Sequence, residues 1–404
     1  MENNVTIVGA GPAGSTAAYF ISSKGFNVTL IDKQKFPRDK PCGGGLPNHV
    51  LKRFGNLISD DMIESHTYGG TTYSPTLKYK LEYKSDKPFN TMVLRKKFDH
   101  GLVKKAVNQG VKFIDGKKVL DIQISKDKAM VILDTGTKIN SDIIIGADGM
   151  RSLTAKKLGF RDKNQPRGFG VVEEYELDES IMDKYFNKPR LGYLHSKLFD
   201  LIGYGWVFPK KRHVNIGVGE ILYNPQKNKK THNLKEYYKR YLSLLKKQKL
   251  IPESIKIKKI MGGALPVYPL KKTYGDRVIL VGDAGGFIDS LSGEGIYYAM
   301  SSGEIAAETV EKALLKKDTS EKMLSDFQKN WKKDFGKDLR LINILSERQR
   351  TSKMSEKNFS LVNKDEKLKK LILNVFSGNI SLSEYKWKIL RRYIYCYIKD
   401  IFEK

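Results

Sequence analysis

Apolar and polar positions change period several times along this chain, and the changes mark its elements. Residues 5–9 (VTIVG) are an apolar and β-branched run that predicts a buried strand. Residues 12–24 carry a helical pattern, and residues 27–31 (NVTLI) predict a second strand. A Pro- and Gly-rich loop, Phe36 to Leu46, follows. Residues 67–94 show Tyr/Thr alternation between Gly and Pro breaks, which predicts antiparallel strands. Arg95 opens a helix through Gln109, closed by Gly110 as a C-cap. Strands near 117–124, 128–134 and 141–146 end on Gly146-Ala147-Asp148-Gly149. Residues 167–264 change character, with strands rich in Gly, Tyr and Phe and one basic helix near 233–248. Strand 277–281 (RVILV) returns to the first pattern, and from Ile296 onward the sequence is mostly helical.

The first strand and helix are joined by Gly9-Ala10-Gly11-Pro12-Ala13-Gly14, a GxGxxG. The first glycine permits a tight turn, the second lets backbone approach a pyrophosphate, and the third lets helix pack close to strand. The helix N-terminus offers N–H groups and a positive dipole end to phosphates. Asp32, 18 residues after Gly14 at the end of the second strand, is placed to accept hydrogen bonds from ribose hydroxyls. Together these predict a bound dinucleotide. Gly282-Asp283-Ala284 after the strand RVILV, then Gly285-Gly286-Phe287 and Gly293-Glu294-Gly295-Ile296, suit a second approach to the same long cofactor, or an ordinary strand–loop–helix connection. Gly217-Val218-Gly219 lacks a third glycine and a helix start, so a dedicated NAD(P)H domain is not expected.

Composition narrows the function. The 404 residues suit two or three domains, and 40% hydrophobic with 29% charged residues is ordinary for a folded protein. No apolar stretch is long enough to span a membrane and no signal peptide follows Met1, so a cytoplasmic location is expected. Two distant cysteines, Cys42 and Cys396, and six scattered histidines without CxxC or HExxH argue against a disulfide framework and a metal site. The net charge of +28 favours anionic partners or simply a solvated basic surface. No nucleic-acid-binding signature accompanies it.

Taken together, these segments resemble the FAD proteins that include aromatic hydroxylases, flavin halogenases and geranylgeranyl reductases. Three segments are similar to the geranylgeranyl reductase family in particular. Lys40-Pro41-Cys42-Gly43-Gly44-Gly45-Leu46 resembles its Cys-Gly loop beside the isoalloxazine. Tyr204-Gly205-Trp206-Val207-Phe208-Pro209-Lys210 resembles its YxWxFPK substrate-cavity motif, and residues 282–287 with 293–296 resemble its GDAxGF…GEGI segment. The resemblance covers about residues 1–310.

It implies an α/β chain, α+β overall: a Rossmann-type FAD-binding domain (1–66, 95–165 and 270–325), an inserted antiparallel-sheet substrate domain (67–94 and 166–269) and a helical C-terminal region (326–404). It implies that Gly9, Gly11, Ala13, Gly14 and Asp32 hold the ADP half, with Val119 near the adenine; Asp32 stands where the family more usually has Glu. Arg95 is implied at the phosphate or ribose, unless it is a surface charge starting its helix. Cys42, Gly43 and Gly45 are implied at the flavin ring, Asp283 at the ribityl–pyrophosphate, and Gly295 and Ile296 over the ring.

The implied reaction saturates C=C bonds of a geranylgeranyl (polyprenyl) lipid or diphosphate. The electrons come from an external donor, NAD(P)H or reduced ferredoxin. An isolated alkene has no carbonyl to stabilise negative charge, so proton donation must accompany hydride delivery from flavin N5. Cys42 is the candidate catalytic residue, supplying the proton or positioning the alkene. Tyr204, Trp206 and Phe208 alternate and so share one face, which either lines the substrate cavity or is plain core. Lys210 meets a phosphate headgroup or solvent. Glu384 to Lys404 interleaves aromatic and aliphatic with basic residues, suiting either peripheral contact with an anionic membrane or packing on the domain. The competing readings are a flavin monooxygenase or halogenase on an aromatic substrate, since Tyr204 to Pro209 also approximates WxWxIP, and a non-enzymatic flavin-binding protein.

Overall fold

The computed structural model describes residues 3–160, 165–223, 232–348 and 351–402. Its first sheet has six strands in the order 274–275, 278–280, 143–146, 4–8, 27–31 and 112–114, parallel except for the two-residue edge strand. Strands covered on both faces read as nearly continuous apolar runs, and these do. Val5, Ile7, Leu30, Ile143, Ile145 and Ile279 face a helical layer. Val8, Ile31, Ile144 and Val278 face a small antiparallel sheet of strands 119–124, 129–133 and 138–141.

Two helices of the helical layer, Pro12–Ser22 and Ile296–Leu315, cross closely because their contact is built from small residues. A side chain at Gly303 would reach 2.5 Å from the Ala13 carbonyl. The strand expected at 141–146 starts at Ile143, and a further short strand lies before it. Lys138–Ser141 belongs to the small sheet and Ile143–Gly146 to the large one. The break is at Asp142, whose carboxylate accepts from the Asn4 N–H at 3.1 Å and whose carbonyl accepts from Arg277 at 3.1 Å.

The second large sheet runs 261–266, 167–176, 213–222, 203–209, 190–196, 65–73, 90–92 and 45–47, with 80–84 beside 65–73. It is antiparallel as expected except where 65–73 pairs with 190–196 in parallel. These two strands come from separate stretches of chain, so no hairpin forces them antiparallel. Its back face is covered by the helix Leu234–Lys247, whose Leu234, Tyr238, Tyr241, Leu242 and Leu245 bury a stripe at helical spacing against Val207, Val214, Ile216 and Val218.

Beyond Leu315 the described residues are mostly helical. Trp331, Phe335 and Leu339 extend the core of the first sheet, with Trp331 edge-on to Phe287 at 4.9 Å. The helices Ser352–Asn363, Glu366–Phe376 and Leu382–Phe402 form a small cluster of their own around Val362, Leu368 and Cys396. That cluster touches segments that follow strands of the second sheet: the Ser377 carbonyl accepts from the Asn48 N–H at 2.9 Å, and Glu356 accepts from the hydroxyls of Ser74 and Thr76.

Candidate active site

The glycines of the first turn are there for measurable reasons. Gly9 has φ +105° and a side chain on it would lie 2.3 Å from the Ala147 carbonyl. A side chain at Gly14 would lie 1.9 Å from the Gly9 carbonyl, so this glycine sets the helix against the strand. Gly11 differs. No protein atom comes nearer than Arg38 Nη2, at 3.8 Å from where its Cβ would be. The helix starting at Pro12 has no side-chain cap. Its N-terminus therefore faces a space bounded by glycine and a guanidinium, a receptor for a diphosphate. Asp32 is buried and pins the turn: its carboxylate accepts from Ala10 N–H and from Gln34 N–H, both at 2.9 Å. Val119, also buried, packs with Val8 and Ile31, the residues that precede Gly9 and Asp32.

Arg95 is no surface charge. It is buried and donates to both oxygens of Asp99, at 2.7 and 2.8 Å. Cys42 lies beside it. Burial works against its charge, but Asp99 and Cys42 beside it more than offset that and raise its pKa above the ordinary arginine value. Asp99 is shared with buried Arg38 at 2.9 Å. Two guanidiniums on one carboxylate leave a net positive charge connecting Gly11 to Cys42. Arg38 and Asp99 were missed from the sequence, although Asp99 stands at the i+4 ion-pair spacing from Arg95.

The Cys42 loop lies across the front of the second sheet, and glycines clear its path. On that face Gly170, Gly219 and Tyr204 are in register, as are Val172, Gly217 and Trp206, and Glu174, Asn215 and Phe208. The indole of Trp206 lies over Gly217, where a side chain would come within 2.2 Å of the ring. The Gly217-Val218-Gly219 stretch is therefore a bed for an aromatic ring. Pro41 sits over Gly263, and Phe208 over Gly43, leaving only 2.8 Å for any Cβ there. Gly44, with φ +74°, tucks under the Val93 carbonyl. Gly45 opens the short strand that pairs with Asn90–Met92.

Polar groups fix this loop from below. Asn215 donates to the Cys42 carbonyl at 3.1 Å and to Glu174 at 2.7 Å, while Trp206 Nε1 donates to Asn215 Oδ1 at 2.8 Å. Lys210 completes the group and departs from both expectations for it. Its side chain is 1% exposed, and its ammonium holds both oxygens of Glu174 at 2.7 Å. It is neither solvated nor open to a headgroup, because it is buried and Glu174 takes two of its three donors. Glu174 and Asn215 carried no sequence signal: they join Lys210 only through the register of three strands.

Tyr204, Trp206 and Phe208 do share one face, with ring centroids 5.6 and 6.4 Å apart. Tyr204 reaches furthest, donating to the Ser292 carbonyl beside Gly293. Burial raises its pKa well above that of a free phenol, so it stays neutral. The third segment arrives through Gly282, which has φ +57° and packs its Cα side against Ala13 of the first helix. Asp283 follows, 3.8 Å from where a Gly295 Cβ would be. Ile296 packs in one cluster with Leu46, Val50 and Cys42. Glu294 is pushed up to about 8 by loss of solvent, against the opposing hydrogen bond from Tyr297 N–H. Contacts thus link the GxGxxG turn to the third segment, and the third segment to Cys42.

These residues fit an extended dinucleotide: a glycine turn and uncapped helix at one end, a pair of arginines, and a loop–aromatic wall at the other. The class is clear at this point. The family described as FAD binding domain matches residues 2–318, so the chain is an FAD-binding flavoprotein. It is 32% identical over 340 residues to digeranylgeranylglycerophospholipid reductase of Methanocaldococcus jannaschii, covering 81% of this chain and 82% of that protein. Solved structures share the fold: a geranylgeranyl bacteriochlorophyll reductase-like protein from Thermoplasma acidophilum has TM-score 0.78 at 21% identity, covering 95% of this chain and 98% of that one. The flavin-dependent brominase Bmp2 has TM-score 0.74 at 19% identity, covering 99% of each. The chain belongs to the geranylgeranyl reductase family of FAD-dependent oxidoreductases.

Proposed function

We propose that this oxidoreductase saturates C=C bonds of geranylgeranyl chains on precursors of archaeal-type membrane ether lipids. What carries the proposal is the contact between the Cys42 loop and the strand Gly203–Pro209, where Phe208 lies on Gly43 and Asn215 holds the Cys42 carbonyl. It brings a thiol-bearing loop against a strand carrying three aromatic rings, and the 32% identity to a digeranylgeranylglycerophospholipid reductase supports the reading.

Bound FAD supplies the hydride from N5. The residues with a part in holding it are Gly9, Gly11, Ala13, Gly14, Asp32, Arg38, Arg95, Val119, Asp283, Gly295 and Ile296. Tyr204, Trp206 and Phe208 hold the alkene and exclude water, which supplies rate by positioning. The alkene carbon that does not receive hydride takes a proton from Cys42. A proton from solvent then restores the Cys42 thiol. Each bond reduced consumes one hydride and one proton, and an external donor, NAD(P)H or reduced ferredoxin, restores the electrons. The lipid substrate is met by peripheral contact with an anionic membrane at its cytoplasmic face.

Anaerobic mixing of the reduced flavoprotein with a geranylgeranyl lipid tests this. Flavin absorbance is expected to return without oxygen while the lipid gains two hydrogens per bond. Reoxidation only by oxygen, with hydroxylation or halogenation of an aromatic compound, would overturn it.

A further inference from the structure

The last helix, Leu382–Phe402, presents its apolar side outward. Toward the chain it turns Ile389, Tyr393, Cys396 and Asp400. Away from it, at spacings of three and four, stand Trp387, Leu390, Ile394, Ile398 and Ile401, ending on Phe402. Trp387 is 61%, Ile398 48% and Phe402 85% exposed. A helix that merely packed on the domain would bury this stripe and expose the polar side. Here Asp400 is buried and bonded to Lys364, and Arg392 on the flank reaches Asp365.

The rim of the stripe is mainly basic: Lys386, Lys388, Arg391 and Lys399 are exposed, with Glu384 the exposed acid at the start of the helix. Lys386 lies 5.6 Å from the Trp387 ring and Lys357 3.8 Å from the Tyr397 ring. Cations beside indole and phenol rings suit the boundary between headgroups and acyl chains. Among the described residues no helix is long and apolar enough to cross a membrane, so a helix of this kind lies in the surface plane.

We propose that the outward face of Leu382–Phe402 docks this protein on an anionic lipid surface, with Trp387, Leu390, Ile394, Ile398 and Phe402 inserted and the basic rim on the headgroups. A second copy of the chain fits less well. A symmetric contact through this face would set the Lys386, Lys388 and Arg391 of two copies together, in a protein of net charge +28. The proposal deepens the membrane contact of the functional reading without depending on what the site reduces.

The test uses the full-length, FAD-loaded protein, sedimented with vesicles of phosphatidylglycerol or of phosphatidylcholine at low and high salt. Binding is expected for phosphatidylglycerol at low salt, weakening with salt. Trp387→Glu with Ile394→Glu, both exposed and so neutral to folding, is expected to abolish it. Lys386→Gln, Lys388→Gln and Arg391→Gln together are expected to weaken it roughly a hundredfold, at about fivefold per charge. Turnover on detergent-dispersed substrate is expected to be unchanged in both variants, which separates failure of docking from failure of the reductase reading. No binding at low salt, binding untouched by the Glu pair, or a dimer that only the Glu pair dissolves would overturn the proposal.

Discussion

Lys210→Met probes the ion pair beneath the Cys42 loop. The lysine is buried with its ammonium on both oxygens of Glu174, and Glu174 in turn holds Asn215, the donor to the Cys42 carbonyl. Removing one partner of a buried pair costs about 3–5 kcal/mol, because the other charge is left uncompensated. Glu174 keeps its bond from Asn215 and is 24% exposed, so the low end, about 3 kcal/mol, is expected. Glu174→Leu strands a fully buried ammonium and is expected to cost at least as much. The double variant removes both charges and should recover most of the loss, ending within about 1–2 kcal/mol of the parent. A urea midpoint followed by protein and by flavin signals measures each corner of the cycle. Cys42 should also react faster with a thiol reagent in Lys210→Met, since its loop loses support. Single costs below about 1 kcal/mol that simply add in the double variant would refute the reasoning.

Gly11→Ala should leave the unfolding of the FAD-free protein unchanged while weakening FAD binding, because no protein atom contests its Cβ position; Gly14→Ala should destabilise the fold itself, given 1.9 Å to the Gly9 carbonyl. Titrating FAD into each variant and melting each without FAD separates the two roles. Cys42→Ala should retain FAD yet turn over about a hundredfold more slowly, the usual loss of a general acid; unchanged turnover would remove the proton-donor role. His195, between Tyr241 and Gln248, is lowered by burial from 6.5 to about 4. The unfolded state then binds more protons between those values, so stability rises with pH and is lost as pH falls from 6.5 toward 4. At pH 5 the loss is about 2 kcal/mol. Glu294, raised by burial, works in the opposite sense, losing stability as pH rises from 4.5 through about 8. The difference in urea midpoint between the parent and His195→Gln against pH isolates the histidine; a difference that does not change between pH 7 and 5 would contradict the assignment.

The sequence discloses what is local and hides what register and distance create. The GxGxxG turn was legible because strand period, glycine spacing and helix start lie within twenty residues. The shared face of Tyr204, Trp206 and Phe208 was legible because a strand alternates. What that face touches was not, since Gly217 and Gly219 opposite Trp206 acquire meaning only through pairing. Lys210 looked solvated because its partner, Glu174, lies two strands away. Arg38 passed unnoticed in a loop whose end point no periodicity fixes, although it stands between Gly11 and Asp99. The last helix read equally as packed or lipid-facing, for an amphipathic pattern gives two sides without saying which is inward. Only the placement of Cys396 and Asp400 decides that.

A crystal structure of the FAD-loaded protein tests the central claim most directly. The pyrophosphate is expected at Gly11 and Arg38. The isoalloxazine is expected between the Cys42–Gly45 loop and Gly295–Ile296, its reactive edge toward Tyr204, Trp206 and Phe208, with a long tube of density beside it when a polyprenyl lipid is present. A flavin bound elsewhere, or a small flat compartment closed to a chain, would contradict the account.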